Sequence, residues 1–127
     1  MDDAAALAVM QRFGKAFFSK DPAQLAQAIT PDAQWHFAFG PDAPDGRVRK
    51  GVDGFLQGIA ENDALFEKLR FNDVVIKAMG EDQIVMTYLM EGKWKDGLAF
   101  SARGIELLTV RDGRICKKDV FLKQVRG

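Results

Sequence analysis

Three residue types that could do proton or nucleophile chemistry occur once each in this chain: His36, Tyr88 and Cys116. An unperturbed imidazole titrates near neutrality, so His36 suits general acid/base work if a carboxylate holds it. Asp119 and Glu106, both in apolar C-terminal runs, are the carboxylates that could do so. Arg103 and Lys118 are cations within the same runs, and burying an unpaired cation is costly. Each therefore needs Glu106, Glu91, Asp119 or an anionic ligand as its partner. The candidate catalytic set is His36, Arg103 and Asp119. Tyr88 can donate a hydrogen bond to a ligand or simply pack across strands. Cys116 sits in a strand pattern as a small apolar filler, and a lone cysteine excludes an intrachain disulfide or multi-cysteine metal site.

These side chains must be positioned by a terminal hairpin. Asp112-Gly113 between two apolar, β-branched runs is a strong hairpin signal, because a type I′ turn needs positive φ at both central residues. The arms are expected over about 98–110 and 114–122. Alternation puts Lys118, Val120 and Leu122 on one face. On the preceding strand Arg103, Ile105 and Leu107 share a face, taken as the inward one. Alternation also sets His36 opposite Trp35 and Phe37, on the outer face of the sheet. A bulge would turn His36 inward, and a one-residue slip would do the same for Asp119.

Upstream, residues 2–19 read as a helix capped by Asp2 or Asp3, with Leu7, Met10, Phe13 and Phe17 at helical spacing. Asp21-Pro22 opens a second helix that Thr30-Pro31-Asp32 ends. Residues 33–39 read as an aromatic strand, 40–50 as a Pro/Gly loop and 51–68 as a third helix. Strands follow at 71–79 and 83–94. The expected order is α-α-β-α-β-β-β-β.

The 127 residues fit one domain, 1–127, and 47% hydrophobic content supports a real core. Eighteen basic residues balance eighteen acidic ones, and no basic stripe suits a phosphate backbone, so nucleic acid is not an expected partner. No apolar run approaches membrane-spanning length, and the acidic start lacks a signal-peptide pattern. A cytoplasmic protein with no membrane partner is expected. No spacing suggests a metal site, and no cofactor is implied.

A second helix opened by Asp21-Pro22 and closed by Thr30-Pro31-Asp32-Ala33-Gln34-Trp35, then Lys50-Gly-Val-Asp-Gly-Phe55, then four strands ending in Arg111-Asp-Gly-Arg-Ile115, resembles the nuclear transport factor 2-like superfamily, SnoaL-like branch. The resemblance implies an α+β fold: a cone-shaped α+β barrel with three N-terminal helices on a strongly curved mixed or antiparallel sheet. It also implies an internal pocket and a homodimer through the outer sheet face. Leu108, Val110 and Phe121 are the apolar residues expected to face outward there.

Ketosteroid isomerases in this superfamily place a phenol, a base and a second acid where this chain has Phe13, Phe37 and, nearby, Arg103. The epoxide-hydrolase and cyclase branch places an acid at the register of Val120. None of those roles is filled, so neither known mechanism transfers. The pocket is expected to be lined by Phe13, Phe17, Trp35, Phe37, Phe55, Tyr88, Leu89, Arg103, Ile105, Lys118, Val120 and Leu122. Two readings stay open. One is a pocket for a small hydrophobic molecule, able to carry an anionic group, with or without isomerase, cyclase or hydrolase-type chemistry. The other is a non-catalytic dimerisation or interaction module whose pocket is filled by its own aromatic side chains.

Overall fold

A computed structural model describes residues 1–123 and shows an α+β cone of three helices against a six-stranded sheet. Helix α1 (Asp3–Ser19) begins where Asp2 accepts the Ala5 N–H at 2.7 Å and ends at Lys20, whose φ is 58°. Its buried face is Ala6, Met10, Phe13 and Ala16. Helix α2 (Pro22–Ala28) is capped by Asp21 accepting from Ala23, with Pro22 at the start where no N–H is needed.

Strand β1 (Ile29–His36) starts four residues earlier than the pattern suggested, because Ile29 and Thr30 are buried rather than part of a turn. A short strand, β2 (Val48–Lys50), lies inside the segment expected to be loop and pairs antiparallel with β1. Arg47 and Arg49, beside and on it, both reach Glu61 of α3 (Gly51–Leu65), so the two guanidiniums share one internal carboxylate. Gly58 lies in the middle of α3, where a Cβ would meet Trp35 at 2.6 Å and Phe37 at 2.9 Å. The glycine that weakens the helix locally is what lets it sit down on the two rings.

Four long strands complete the chain: β3 (Phe66–Met79), β4 (Gln83–Trp94), β5 (Ala99–Arg111) and β6 (Arg114–Leu122). The turn between β5 and β6 has φ 53° at Asp112 and 74° at Gly113, as an Asp-Gly type I′ turn requires. Sheet order is β2-β1-β6-β5-β4-β3; β1 runs parallel to β6 and the other pairs are antiparallel. The sheet is mixed and open-edged, so the expected cone of three helices on a curved sheet is the fold observed, and it does not close into a barrel. The core lies between its concave face and the helices, around Phe13, Leu25, Ile29, Trp35, Phe55, Ile84, Leu108 and Ile115.

Candidate functional site: a buried Lys-Glu-Tyr cluster

Strand phase decides which side chains reach the pocket. On β5 the buried positions are Gly104, Glu106 and Leu108, with Arg103, Ile105 and Arg111 more exposed. The inward phase is therefore opposite to the one expected. Arg103 lies outside, 66% exposed, with its guanidinium 3.9 Å from Asp73. Ile105 shares that outer face, and so does Leu89, whose register partner is Arg103. Phe55 is completely buried in the core beneath Trp35 rather than lining a cavity. These four positions are corrected from pocket wall to outer face or core.

The clue to the true phase was in the composition of β5. One set of alternate residues holds Ser101, Arg103, Ile105, Leu107, Thr109 and Arg111, polar at both ends; the other holds Phe100, Ala102, Gly104, Glu106, Leu108 and Val110, apolar but for Glu106. The row with two arginines, a serine and a threonine is the better one to leave in water, so Glu106 is the single β5 charge carried inward. On β6, Cys116 is the extra residue of a bulge between the pairs Thr109–Lys117 and Val110–Ile115. The bulge resets alternation, so Ile115 and Lys118 are both buried.

Glu106 and Lys118 thus meet inside the cone. Lys118 Nζ donates to Glu106 Oε1 at 2.6 Å, and the side chains are 8% and 5% exposed. Tyr88 donates its hydroxyl to Glu106 Oε2 at 2.9 Å. Both carboxylate oxygens are therefore held by different donors. A Cβ at Gly104 would strike the Tyr88 ring at 2.5 Å, so that glycine makes room for the phenol. The Lys118 ammonium also lies 5.4 Å from the Phe17 ring centroid and 5.2 Å from that of Trp35, a distance at which ring faces attract a cation. Burial, then the charge of Glu106 and its hydrogen bond, push the Tyr88 phenol well above its ordinary pKa. It stays a hydrogen-bond donor throughout the physiological range.

Two cavities, of about 120 and 220 Å³, flank this cluster and share Phe17, Phe18, Phe71, Tyr88, Glu106 and Lys118 as common wall. The smaller also touches Trp35, Phe37, Val120 and Leu122; the larger extends past Phe13 and Met10. Each alone falls below the roughly 300 Å³ at which ligand pockets begin, and only the two together pass it. Apolar surface dominates both lobes, and the charged pair supplies the polar groups at their junction.

His36 and Asp119 are register partners on β1 and β6, on the outer face. Their side chains have separate partners: His36 Nε2 lies 3.0 Å from Gln34 Oε1, and Asp119 lies 4.0 Å from Lys117 Nζ. They border a different groove of about 470 Å³ against the 39–46 loop, which shares Phe37, Val120 and Leu122 with the smaller cavity but not Glu106 or Lys118. The expected catalytic trio of His36, Arg103 and Asp119 is therefore not gathered at the inner pocket. Glu106, which the sequence offered as a partner for a buried cation or for His36, is the carboxylate the pocket holds, paired with Lys118. Among the described residues, no group of three His, Cys, Asp or Glu is placed to hold a metal ion.

A SnoaL-like domain profile matches residues 10–118. The chain belongs to the SnoaL-like domain family. Solved structures show the same fold at low identity. An NTF2-like protein from Burkholderia xenovorans LB400 matches at 14% identity and a TM-score of 0.80, over 97% of this chain and 92% of that one. A putative polyketide cyclase from Xanthomonas campestris pv. campestris matches at 18% identity and TM-score 0.77, over 95% and 92%. A putative isomerase from Bacillus subtilis matches at 16% and 0.73, over 97% and 90%. No curated protein sequence matches the chain. Among the described residues of this SnoaL-like chain, no helix is long and apolar enough to cross a membrane.

Proposed function

We propose that this SnoaL-like chain, taken as one domain over residues 1–127, binds a small, mainly apolar molecule in the two-lobed pocket and moves a proton on it. The observation that carries this reading is the buried Lys118–Glu106–Tyr88 cluster at the common wall of both lobes. Charged groups are costly inside a protein, and packing alone would be served better by apolar residues. Lys118 is already neutralised by Glu106, which favours an uncharged ligand with one carbonyl or hydroxyl group over an anion. In this reading Glu106 accepts or returns a proton, Lys118, which has N–H groups beyond the one on Glu106, donates to the oxygen that gains charge, and Tyr88 holds Glu106 Oε2 in place. The neighbours' names, putative polyketide cyclase and putative isomerase, agree with enolate-type proton transfer.

Native mass spectrometry of gently purified protein tests the reading. A reproducible non-covalent adduct, lost on denaturation and lost in Phe17→Trp protein whose larger side chain fills the shared wall, is expected. A clean apo mass that stays clean after incubation with neutral aromatic alcohols would favour the filled interaction module instead.

A second reading concerns assembly. Val75, Thr87, Ile105 and Phe121 are register partners in one row across β3, β4, β5 and β6, on the exposed face. This row, rather than Leu108, which is completely buried, or Val110, which packs against the core, is the apolar stripe available to a second copy. We infer a homodimer through it. Sedimentation should give a dimeric mass that Phe121→Asp reduces to a monomer; a monomer at all concentrations contradicts this.

A further inference from the structure

We propose that Lys118 is a nucleophile that forms a protonated imine with an aldehyde or ketone held in the pocket. This goes beyond acid/base chemistry, and it rests on the pocket reading above. Four observations carry it.

Among the described residues Lys118 is the only lysine on the wall of both lobes; Lys20 borders the smaller one alone and is exposed. The Lys118 side chain is almost wholly withdrawn from water, and a lysine in an apolar pocket is the environment in which amine nucleophiles operate. A proton acceptor, Glu106 Oε1, stands 2.6 Å away, within transfer distance. The rings of Phe17 and Trp35 lie against the nitrogen and will serve any cation formed there equally well.

The step balances without any further reagent. A ligand that displaces water from the lobes disfavours the separated charges, and the ammonium proton passes from Nζ to Glu106 Oε1. The free electron pair on Nζ then forms a bond to the carbonyl carbon, and the carbonyl π electrons move to oxygen. One N–H proton passes to that oxygen, giving a neutral carbinolamine. Glu106 next returns its proton to the hydroxyl, the C–O bond breaks and water leaves. The nitrogen electron pair closes the C=N bond. The product is an iminium cation facing a Glu106 carboxylate, so the pocket ends with the charges it started with. Tyr88 keeps its proton and holds the other carboxylate oxygen, which leaves Oε1 free to shuttle. The iminium would acidify the adjacent C–H, the bond Glu106 is placed to break next.

Cinnamaldehyde with sodium cyanoborohydride is the probe, applied to the whole chain, with the modified residue located by peptide mass mapping. The expected result is a single cinnamyl group on Lys118, formed at least tenfold faster than on exposed lysines such as Lys15, Lys50 and Lys93. Lys118→Arg, which keeps a cation for Glu106 and so protects folding, should abolish that fast labelling. Glu106→Gln should slow it at least tenfold while leaving Lys118 the labelled site. Labelling spread over the exposed lysines, with Lys118 no faster than they are, overturns the proposal. Cinnamyl alcohol separates the two levels, since it lacks the carbonyl. If it binds and Lys118 still fails to label, the amine chemistry falls and the pocket stands. If it does not bind and Lys118 does not label, both fall.

Discussion

The two faces of the same strands hold similar residues in opposite circumstances. Lys118 and Asp119 are chain neighbours, as are Glu106 and Ile105, Tyr88 and Leu89, Trp35 and His36. Of the inner members, Lys118, Glu106 and Tyr88 form a hydrogen-bonded cluster, with Lys118 and Glu106 2.6 Å apart and the Trp35 ring beside the ammonium. The outer charges pair loosely in water, Arg103 with Asp73 at 3.9 Å and Lys117 with Asp119 at 4.0 Å. Exposed pairs of that kind are worth about 0–1 kcal/mol, whereas breaking a buried pair strands a charge in low dielectric. One residue of register thus separates a charge that the fold depends on from one it hardly registers.

Removing one charge from each face should break the symmetry most visibly. Glu106→Leu strands Lys118 and should lower unfolding free energy by about 3–5 kcal/mol, read from urea midpoints. Asp119→Leu should change it by no more than about 0.5 kcal/mol. Adding Lys118→Met to Glu106→Leu should recover most of the loss, because an apolar pair of similar volume is often as stable as a buried ion pair. Equal losses from Glu106→Leu and Asp119→Leu would mean that the inner pair is not buried as described.

A smaller contrast comes from the phenol. Tyr88→Phe leaves Glu106 Oε2 without its donor and should cost about 1–3 kcal/mol, while Arg103→Ala should stay within about 0.5 kcal/mol.

The titration of Tyr88, the chain's one tyrosine, sharpens the comparison without mutation. Its pKa is raised in the folded state, by burial first and then by Glu106, so the folded chain holds a proton that an unfolded chain releases near pH 10.0. Stability is therefore undiminished below that pH and falls as pH rises above it. Tyrosinate absorbance should stay absent through pH 10.0 and appear only together with unfolding. Reversible ionisation near pH 10.0 in folded protein would contradict the buried hydrogen bond.

Much of the fold could be read from local signals, since each has a short-range cause. Asp21-Pro22 starts α2, Asp112-Gly113 turns the last hairpin, and the Met10, Phe13, Phe17 spacing marks the buried side of α1. Strand β2 escaped because three residues between a Gly/Pro loop and a helix carry too little pattern to register. Site geometry was harder, because side-chain phase depends on tertiary events. The β6 bulge at Cys116 lets Ile115 and Lys118 face the same way, and no local signal announces it. The β5 phase was harder to read, since Ile105 and Leu107 interrupt the row of Ser101, Arg103, Thr109 and Arg111 and made that row look inward. Weight placed on the lone His36 drew attention to the outer face. A histidine's intrinsic pKa says nothing of where its strand points it.

The central proposal is that the Lys118–Glu106–Tyr88 junction is the floor of a pocket that takes a small apolar ligand. The most direct measurement is tryptophan emission during titration with benzyl alcohol, cinnamyl alcohol and 2-naphthol in Trp94→Phe protein. That substitution leaves Trp35, on the pocket wall, as the reporter. The account expects a saturable change that tightens with ligand size, persists in His36→Ala, and disappears when Phe17→Trp fills the shared wall, scored by native mass where emission is ambiguous. No saturable response to any of the three, or a response abolished by His36→Ala, would contradict it.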